Sequence, residues 1–357
     1  MKVIHPRPNP IVAAMYTLRD LDVDVIVVHG PAGCSFMASR MIEEAGVRVV
    51  TSGMKDDDLI FGGSDSLVET LKLVKERFDP KNVAVIGTCA SMIIGEDLRA
   101  AITRAGIGCN VFPVDCHGCM TNNTDGAIKA IEGACRAGII DDGEKERQIR
   151  LLRSATAAER STGLTSKQYL TPVRGPTKMN VANTIADAFR SGKRVACAML
   201  AKKELAYRFA DMFLALDTAR RKLGGELFLA GNLDTELGLP RIRRYARDIT
   251  GELESKGVSI DAVIGGLDEY AIVGDKMKEA IDGFAPDLLI LVGMPHMYPG
   301  FSQDDILITD QPRQLSNYLS MGCRLAVGEI SSHSMVMGTR TIVPMETGDT
   351  LREIVGE

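Results

Sequence analysis

The sequence predicts an α/β protein in which parallel-sheet domains, with helices on both faces, stand in tandem. Three observations carry this. Short runs of β-branched and apolar residues alternate with amphipathic segments along the chain, the rhythm of strand–helix–strand units with right-handed crossovers. At 357 residues the chain is too long for one ordinary core of about 100–200 residues, so two domains are expected. Finally, three apolar runs of the first half stop at a turn that carries cysteine: Val25-Ile-Val-Val-His-Gly-Pro-Ala-Gly-Cys34, Val83-Ala-Val-Ile-Gly-Thr-Cys89, and Cys109-Asn-Val-Phe-Pro-Val-Asp-Cys116-His-Gly-Cys119. If those strands are parallel neighbours, their carboxyl ends share one sheet edge, where doubly wound folds place ligands, and the three thiol loops converge.

Taken in order, residues 11–19 read as a helix after a proline-broken start. The four β-branched residues 25–28 read as a buried strand, closed by Gly30-Pro31 because proline cannot donate to a ladder. A helix over 38–44 and a strand over 47–50 follow. After the acidic loop Lys55-Asp-Asp-Asp58 comes Phe61-Gly-Gly-Ser-Asp65, whose Ser64 or Asp65 is expected to cap a helix running to Arg77. Strand 83–86, helix 94–104, strand 110–114 and a helix over 125–136 complete the first half. Between 141 and 178 apolar periodicity weakens and charge rises, so the expected division is an N-terminal α/β domain over 1–140 carrying the cysteines, a helical linker over 141–190, and a second α/β domain over 191–357. In the second half, strands are expected at 195–200, 226–229, 262–264, 288–292, 306–308 and 325–327, with helices such as 204–222 and 268–281 between them. No short repeat relates the halves.

Apolar residues at 45% and charged residues at 25% are globular values. A net charge of −5 leaves no global basic field, so no nucleic-acid partner is expected. The N-terminal segment lacks the apolar core of a signal peptide, and no apolar run approaches the roughly 18–20 residues that span a bilayer. The expectation is a cytoplasmic protein without membrane contact. In that setting the eight cysteines read as reduced thiols, some of them ligands, rather than as a disulfide framework.

Three stretches in order and spacing carry a resemblance: His29-Gly-Pro-Ala-Gly-Cys34, Asp58-Leu-Ile-Phe-Gly-Gly63 and Thr88-Cys-Ala-Ser-Met-Ile-Ile-Gly-Glu-Asp97. Over residues 21–126 the chain resembles the nitrogenase component 1 family, which includes the catalytic subunits of nitrogenase and of the dark-operative protochlorophyllide and chlorophyllide reductases. The resemblance implies a nitrogenase component 1-like fold of Rossmann-like domains, with one of the usual three missing from this short chain. Within the family, the chain is similar to archaeal homodimeric members that reduce Ni-sirohydrochlorin a,c-diamide, whose nickel arrives with the substrate, to the seco precursor of coenzyme F(430), a step toward methanogenesis. The intersubunit 4Fe-4S cluster of the family is held by a cysteine of the Gly-Pro-x-Gly-Cys loop and one of the loop before Ile-Gly-x-Asp, which match Cys34 and Cys89. A further upstream cysteine of the family is absent; its place falls near Pro8. Two thiolates from each of two identical chains would supply the four that a cubane takes, so the cluster is expected to be shared across a homodimer.

The residues can also be weighed alone. Thiolates suit iron–sulfur clusters, and loops after strands offer N–H groups to sulfur. Gly30 and Gly33 are expected to let the chain turn tightly beside Cys34, and Gly87 before Cys89. Either thiol by itself also suits a small buried hydrophobe. Cys116-His-Gly-Cys119 suits half a zinc site, a redox pair, an incidental or structural pairing, a place near the substrate or cluster, or a direct ligand, whereas Cys109, Cys135, Cys197 and Cys323 read as core. Candidate proton donors are His117, Asp115 and His296, the last in the loop Gly293-Met-Pro-His-Met-Tyr-Pro-Gly300. Asp97 is expected to order the cluster loop or a partner interface. Arg243, Arg244 and Arg247 share a helix face that suits substrate carboxylates or plain solvent, and Met294 and Met297 suit a macrocycle or the core. No G-x-x-x-x-G-K-[ST] and no G-x-G-x-x-G after the first strand is present, so ATP and nicotinamide are not expected to bind here. The resemblance implies a separate nitrogenase reductase-like ATPase with its own 4Fe-4S cluster as electron donor, and a macrocycle cleft between domains. Two other readings compete: another nitrogenase-like tetrapyrrole reductase subunit or cofactor scaffold, and a noncatalytic two-lobed α/β protein that binds a ligand or metal.

Overall fold

The computed structural model describes residues 9–34, 36–120, 122–162, 175–329 and 338–356. The proline-broken residues 1–8 and the polar run 163–174 lie outside the described residues. The chain divides into two compact units, Met1–Thr162 with Leu239–Arg241, and Gly163–Gly238 with Ile242–Glu357.

In the first unit the strands are β1 (Val25–His29), β2 (Arg48–Thr51), β3 (Asn82–Gly87) and β4 (Asn110–Val114), and the helices are α1 (Pro10–Asp20), α2 (Phe36–Glu44), α3 (Asp56–Phe61), α4 (Ser64–Phe78), α5 (Cys89–Ile93), α6 (Leu98–Ala105), α7 (Asn123–Arg136) and α8 (Asp142–Thr162). The strands form one parallel sheet in the order β2-β1-β3-β4, with Val25 opposite Val83 and His29 opposite Gly87. Alternate residues of β1 and β3 (Val25, Val27, Val83, Val85) pack on Leu67, Leu71 and Val74 of α4 and on Leu98, Ala101 and Ala105 of α6. Burial on both faces explains why β1 is a continuous apolar run rather than an alternating one.

The second unit carries α9 (Pro176–Arg190), β5 (Arg194–Leu200), α10 (Ala206–Phe209), α11 (Asp211–Leu223), β6 (Glu226–Gly231), α12 (Pro240–Ser255), β7 (Ala262–Val263), α13 (Gly274–Phe284), β8 (Leu288–Gly293), β9 (Ile306–Thr309), α14 (Pro312–Ser320), β10 (Ala326–Gly328) and α15 (Glu346–Ile354). Its sheet is also parallel, in the order β10-β9-β8-β5-β6-β7. Ala196, Ala198 and Leu200 of β5 pack with Met277 and Ile281 of α13 on one side of the sheet.

Most expected elements form, and the departures have local causes. The helix expected over 94–104 starts only at Leu98, because Asp97 caps it by accepting hydrogen bonds from the N–H groups of Arg99 and Ala100 (both 3.0 Å), and a separate short helix, α5, ends before it at Ile93. Neither Ser64 nor Asp65 caps α4. Gly63 takes the N-cap position and Asp65, in the first turn, pairs with Arg104 at 2.8 Å. The helix expected from 268 starts at Gly274, because Asp268 and Glu269 are held in a loop by Lys203, whose N–H reaches the Asp268 carbonyl (3.1 Å) and whose ammonium reaches Glu269 (2.8 Å). Residues 141–190, read from sequence as a linker, divide between the units, α8 falling in the first and α9 in the second.

Candidate metal centre

In the first sheet the chain passes from β1 to β2 on one side and then crosses to β3 on the other, so the topological switch point lies between the carboxyl ends of β1 and β3. The Gly30–Cys34 loop leaves one of these ends and Thr88-Cys89 the other. The loop Asp115–Cys119 leaves β4, which pairs with β3.

Each loop is pinned from below. After β1, the chain makes a 3₁₀ turn over Ala32–Cys34, closed by the Cys34 N–H on the Pro31 carbonyl at 3.0 Å. After β3, Thr88 caps α5 by accepting from the Ser91 N–H, and the Ser91 hydroxyl accepts from the Thr88 N–H at 2.8 Å, a reciprocal box that sets Cys89 as the first helical residue. The Thr88 hydroxyl also donates to the His29 carbonyl at 3.0 Å, tying the two loops together. A side chain at Gly30 would place its Cβ 2.3 Å from that hydroxyl oxygen, so the glycine permits close approach of the two strand ends rather than a left-handed turn. The other two glycines differ from the sequence reading: Gly33 faces open space, a Cβ at Gly87 would meet its neighbours at ordinary contact distance, and neither has a positive φ.

Cys34 and Cys89 are both half-buried. Burial raises the pKa of the Cys34 thiol, and the neighbouring Cys89 raises it further. Cys116 is fully buried and is pushed up to about 12, by burial first and Cys89 second, so it stays a thiol packed beneath the loop. Cys119 is exposed, with its Sγ 3.5 Å from the Sγ of Cys89, and the Gly118 N–H points at the same Cys89 sulfur at 3.2 Å. Among the described residues, no three His, Cys, Asp or Glu side chains group closely enough to hold a single metal ion. Of the cysteines read as core, Cys197 and Cys323 are buried, whereas Cys109 and Cys135 are half-buried.

His117 is half-buried within the same loop, and Asp115 is exposed, 3.9 Å from Arg99. His296 belongs to the second unit, on a turn just after β8, next to the switch point between β5 and β8 of that sheet. Its Nδ1 is buried without a hydrogen-bond partner among the described residues, and burial, assisted by Lys202, lowers its pKa to about 4, so the ring is neutral at neutral pH. Asp97 is the cap of α6. Arg247 pairs with Glu236 at 3.5 Å, and Met294 is buried in the core beside Met297.

Sequence reading passed over His29 and Glu96. His29 is fully buried at the end of β1, its Nδ1 2.9 Å from the Ser52 hydroxyl and its Nε2 3.7 Å from a Glu96 carboxylate oxygen. The other Glu96 oxygen accepts from the Gly63 N–H, so one histidine and one glutamate join the three quoted stretches into one scaffold. The signal was present, because all three lie in those stretches: His29 opens the first, Gly63 closes the second and Glu96 stands one residue before the end of the third. Around this edge four large apolar side chains face solvent: Phe36, Ile60, Phe61 and Ile93, at 72–84% exposure.

A family model described as Nitrogenase component 1 type Oxidoreductase matches residues 10–213, more than half of the chain. This chain belongs to the nitrogenase component 1 type oxidoreductase family. Its N-terminal thiol loops and first sheet lie wholly inside the matched region, as do β5 and α10 of the second unit. The chain is similar over nearly its whole length to three curated relatives, each named as component CfbD of a Ni-sirohydrochlorin a,c-diamide reductive cyclase complex. That of Methanothermobacter thermautotrophicus is 43% identical, covering 98% of both chains. That of Methanosarcina acetivorans is 44% identical over 100% of this chain and 98% of its own, and that of Methanocaldococcus jannaschii 39% identical over 98% of each. No helix among the described residues is long and apolar enough to cross a membrane.

Proposed function

We propose that this chain is the catalytic component of a nitrogenase-like reductive cyclase that converts Ni-sirohydrochlorin a,c-diamide to the seco precursor of coenzyme F(430), taking electrons from an ATP-dependent reductase with its own 4Fe-4S cluster. The observation that carries the reading is the placement of Cys34 and Cys89 on adjoining strand ends at the sheet's switch point, within a chain similar end to end to relatives named for that complex. When bound, a 4Fe-4S cluster supplies one-electron transfer at low potential. The donor set fits such a group: two half-buried thiols of low steric demand, and a backbone N–H already aimed at one sulfur.

Cys34 and Cys89 are the proposed ligands, shared across a homodimer because two thiolates are half of a cubane's set. Phe36, Ile60, Phe61 and Ile93 support a protein-covered edge, since an apolar patch of this kind marks an interface. His29, Thr88 and Glu96 hold the loops in place. His117 and Asp115, on the loop that carries Cys119, are the proposed donors of the protons that accompany reduction. His296, held neutral, offers a ring N–H rather than an imidazolium proton. The 1–140 region is proposed to be the part that carries the cluster thiols.

Anaerobic purification tests the reading directly. A brown protein with about two irons and matching acid-labile sulfide per chain is expected, as one shared cubane requires. Turnover of Ni-sirohydrochlorin a,c-diamide should then require the reductase and ATP. A colourless, metal-free chain would overturn the proposal.

A further inference from the structure

The loop after β4 is not used by a ligand set of Cys34 and Cys89, yet it closes directly on one of them. Cys116 anchors it, buried and bonded through its N–H to the Val114 carbonyl at 2.8 Å. The Met120 N–H on the His117 carbonyl (3.3 Å) folds the next residues into a turn. This turn lays Gly118 against sulfur: its N–H is 3.2 Å from Cys89 Sγ, and an added Cβ would also stand 3.2 Å from it, tighter than an ordinary contact. The thiol of Cys119 then lies 3.5 Å from the same sulfur, although Cys119 is exposed and contributes nothing to the core.

We infer that Gly118 and Cys119 are hydrogen-bond donors to the ligating sulfur of Cys89, so that Cys119 is a positioning residue that sets the potential of the centre and is not itself an iron ligand. This rests on the proposed role of Cys89. A sulfur bound to iron has no proton to give, so of the two sulfurs in contact only Cys119 can donate. The two sulfurs stand 3.5 Å apart, within hydrogen-bond reach of one another. Donors directed at a ligating sulfur disperse the charge added on reduction and therefore raise the reduction potential. Two donors on one sulfur make the centre easier to reduce by the partner than the thiol loops alone would.

The test compares the parent protein with Cys119→Ala and Cys119→Ser, each purified anaerobically with its iron, by metal and sulfide analysis and by a redox titration followed by electron paramagnetic resonance. Cys119→Ala is expected to keep its iron and to shift the midpoint to a more negative potential. Cys119→Ser, which keeps an O–H donor, should return it toward the parent. Loss of iron in Cys119→Ala to the level of Cys89→Ser would make Cys119 a ligand and overturn the inference, and so would an unmoved midpoint in Cys119→Ala. A parent protein without iron overturns the role of Cys89 and this inference with it, whereas an iron-loaded parent with an unmoved variant overturns this inference alone.

Discussion

Gly30→Ala is the smallest change that should disturb the whole thiol edge. The added carbon would sit 2.3 Å from Thr88 Oγ1, 2.5 Å from its Cγ2 and 2.8 Å from its Cβ, so all three atoms must move at once. Thr88 cannot yield cheaply, because its hydroxyl holds the His29 carbonyl and caps the helix that begins at Cys89. Overpacking of a tight site costs about 1–3 kcal/mol, and losing a helix cap adds ~1 kcal/mol. For a unit of this size each kcal/mol moves Tm by about 2–4 °C, so a fall of roughly 4–16 °C is expected. Differential scanning calorimetry of the metal-free chain measures it, and iron retained after anaerobic reconstitution should drop in parallel as Cys89 is displaced. The double variant with Thr88→Ala removes the two nearest clashing atoms, so its destabilisation should be smaller than the sum of the two single changes. A Gly30→Ala chain that melts with the parent and keeps its iron would show that the strand ends are not in close contact, and the account of the loops would fail.

Other expectations concern single residues. Cys34→Ser and Cys89→Ser should each abolish iron binding, whereas Cys197→Ala, in the interior of the second sheet, should leave iron content unchanged; iron analysis that ranks the three otherwise contradicts the assignment. His296 has a folded pKa of about 4 against the ordinary 6.5, so below pH 6.5 the unfolded chain takes up a proton that the folded chain refuses. Stability should therefore fall as pH drops from 6.5 toward 4, by up to roughly 3 kcal/mol at about 1.4 kcal/mol per pH unit. Urea titrations of the parent and His296→Gln would then diverge over that window, and parallel curves would count against the burial. His29→Ala removes the ring beside Glu96, whose side chain is only 6% exposed, and should cost about 1–3 kcal/mol by urea unfolding.

Strand existence was legible because β-branched runs and the proline or glycine that ends them are local signals. The run 110–114 matches β4 end for end, and the four residues 25–28 extend by only His29. Less legible were boundaries decided by a side chain reaching elsewhere. Asp97 starts a helix that periodicity alone begins earlier, and Lys203 holds a segment open whose apolar pattern reads as helix. Cys116 and Cys119 stand three residues apart and look equivalent in a C-x-x-C, yet one is sealed in the core and the other faces solvent beside Cys89. A spacing does not say which way a turn leans.

By itself the sequence determined the alternation of strand and helix, the position of a thiol at the end of three strands, and membership of a family recognised by three short stretches. Local torsional preference and side-chain periodicity suffice for that. Only the tertiary structure decided that β1 and β3 are neighbours, that a loop from β4 closes on Cys89, and that His29 meets Glu96 across 67 positions of chain. Those pairings depend on strand order and on which face each crossover helix covers, long-range choices made by packing that no short window of residues contains.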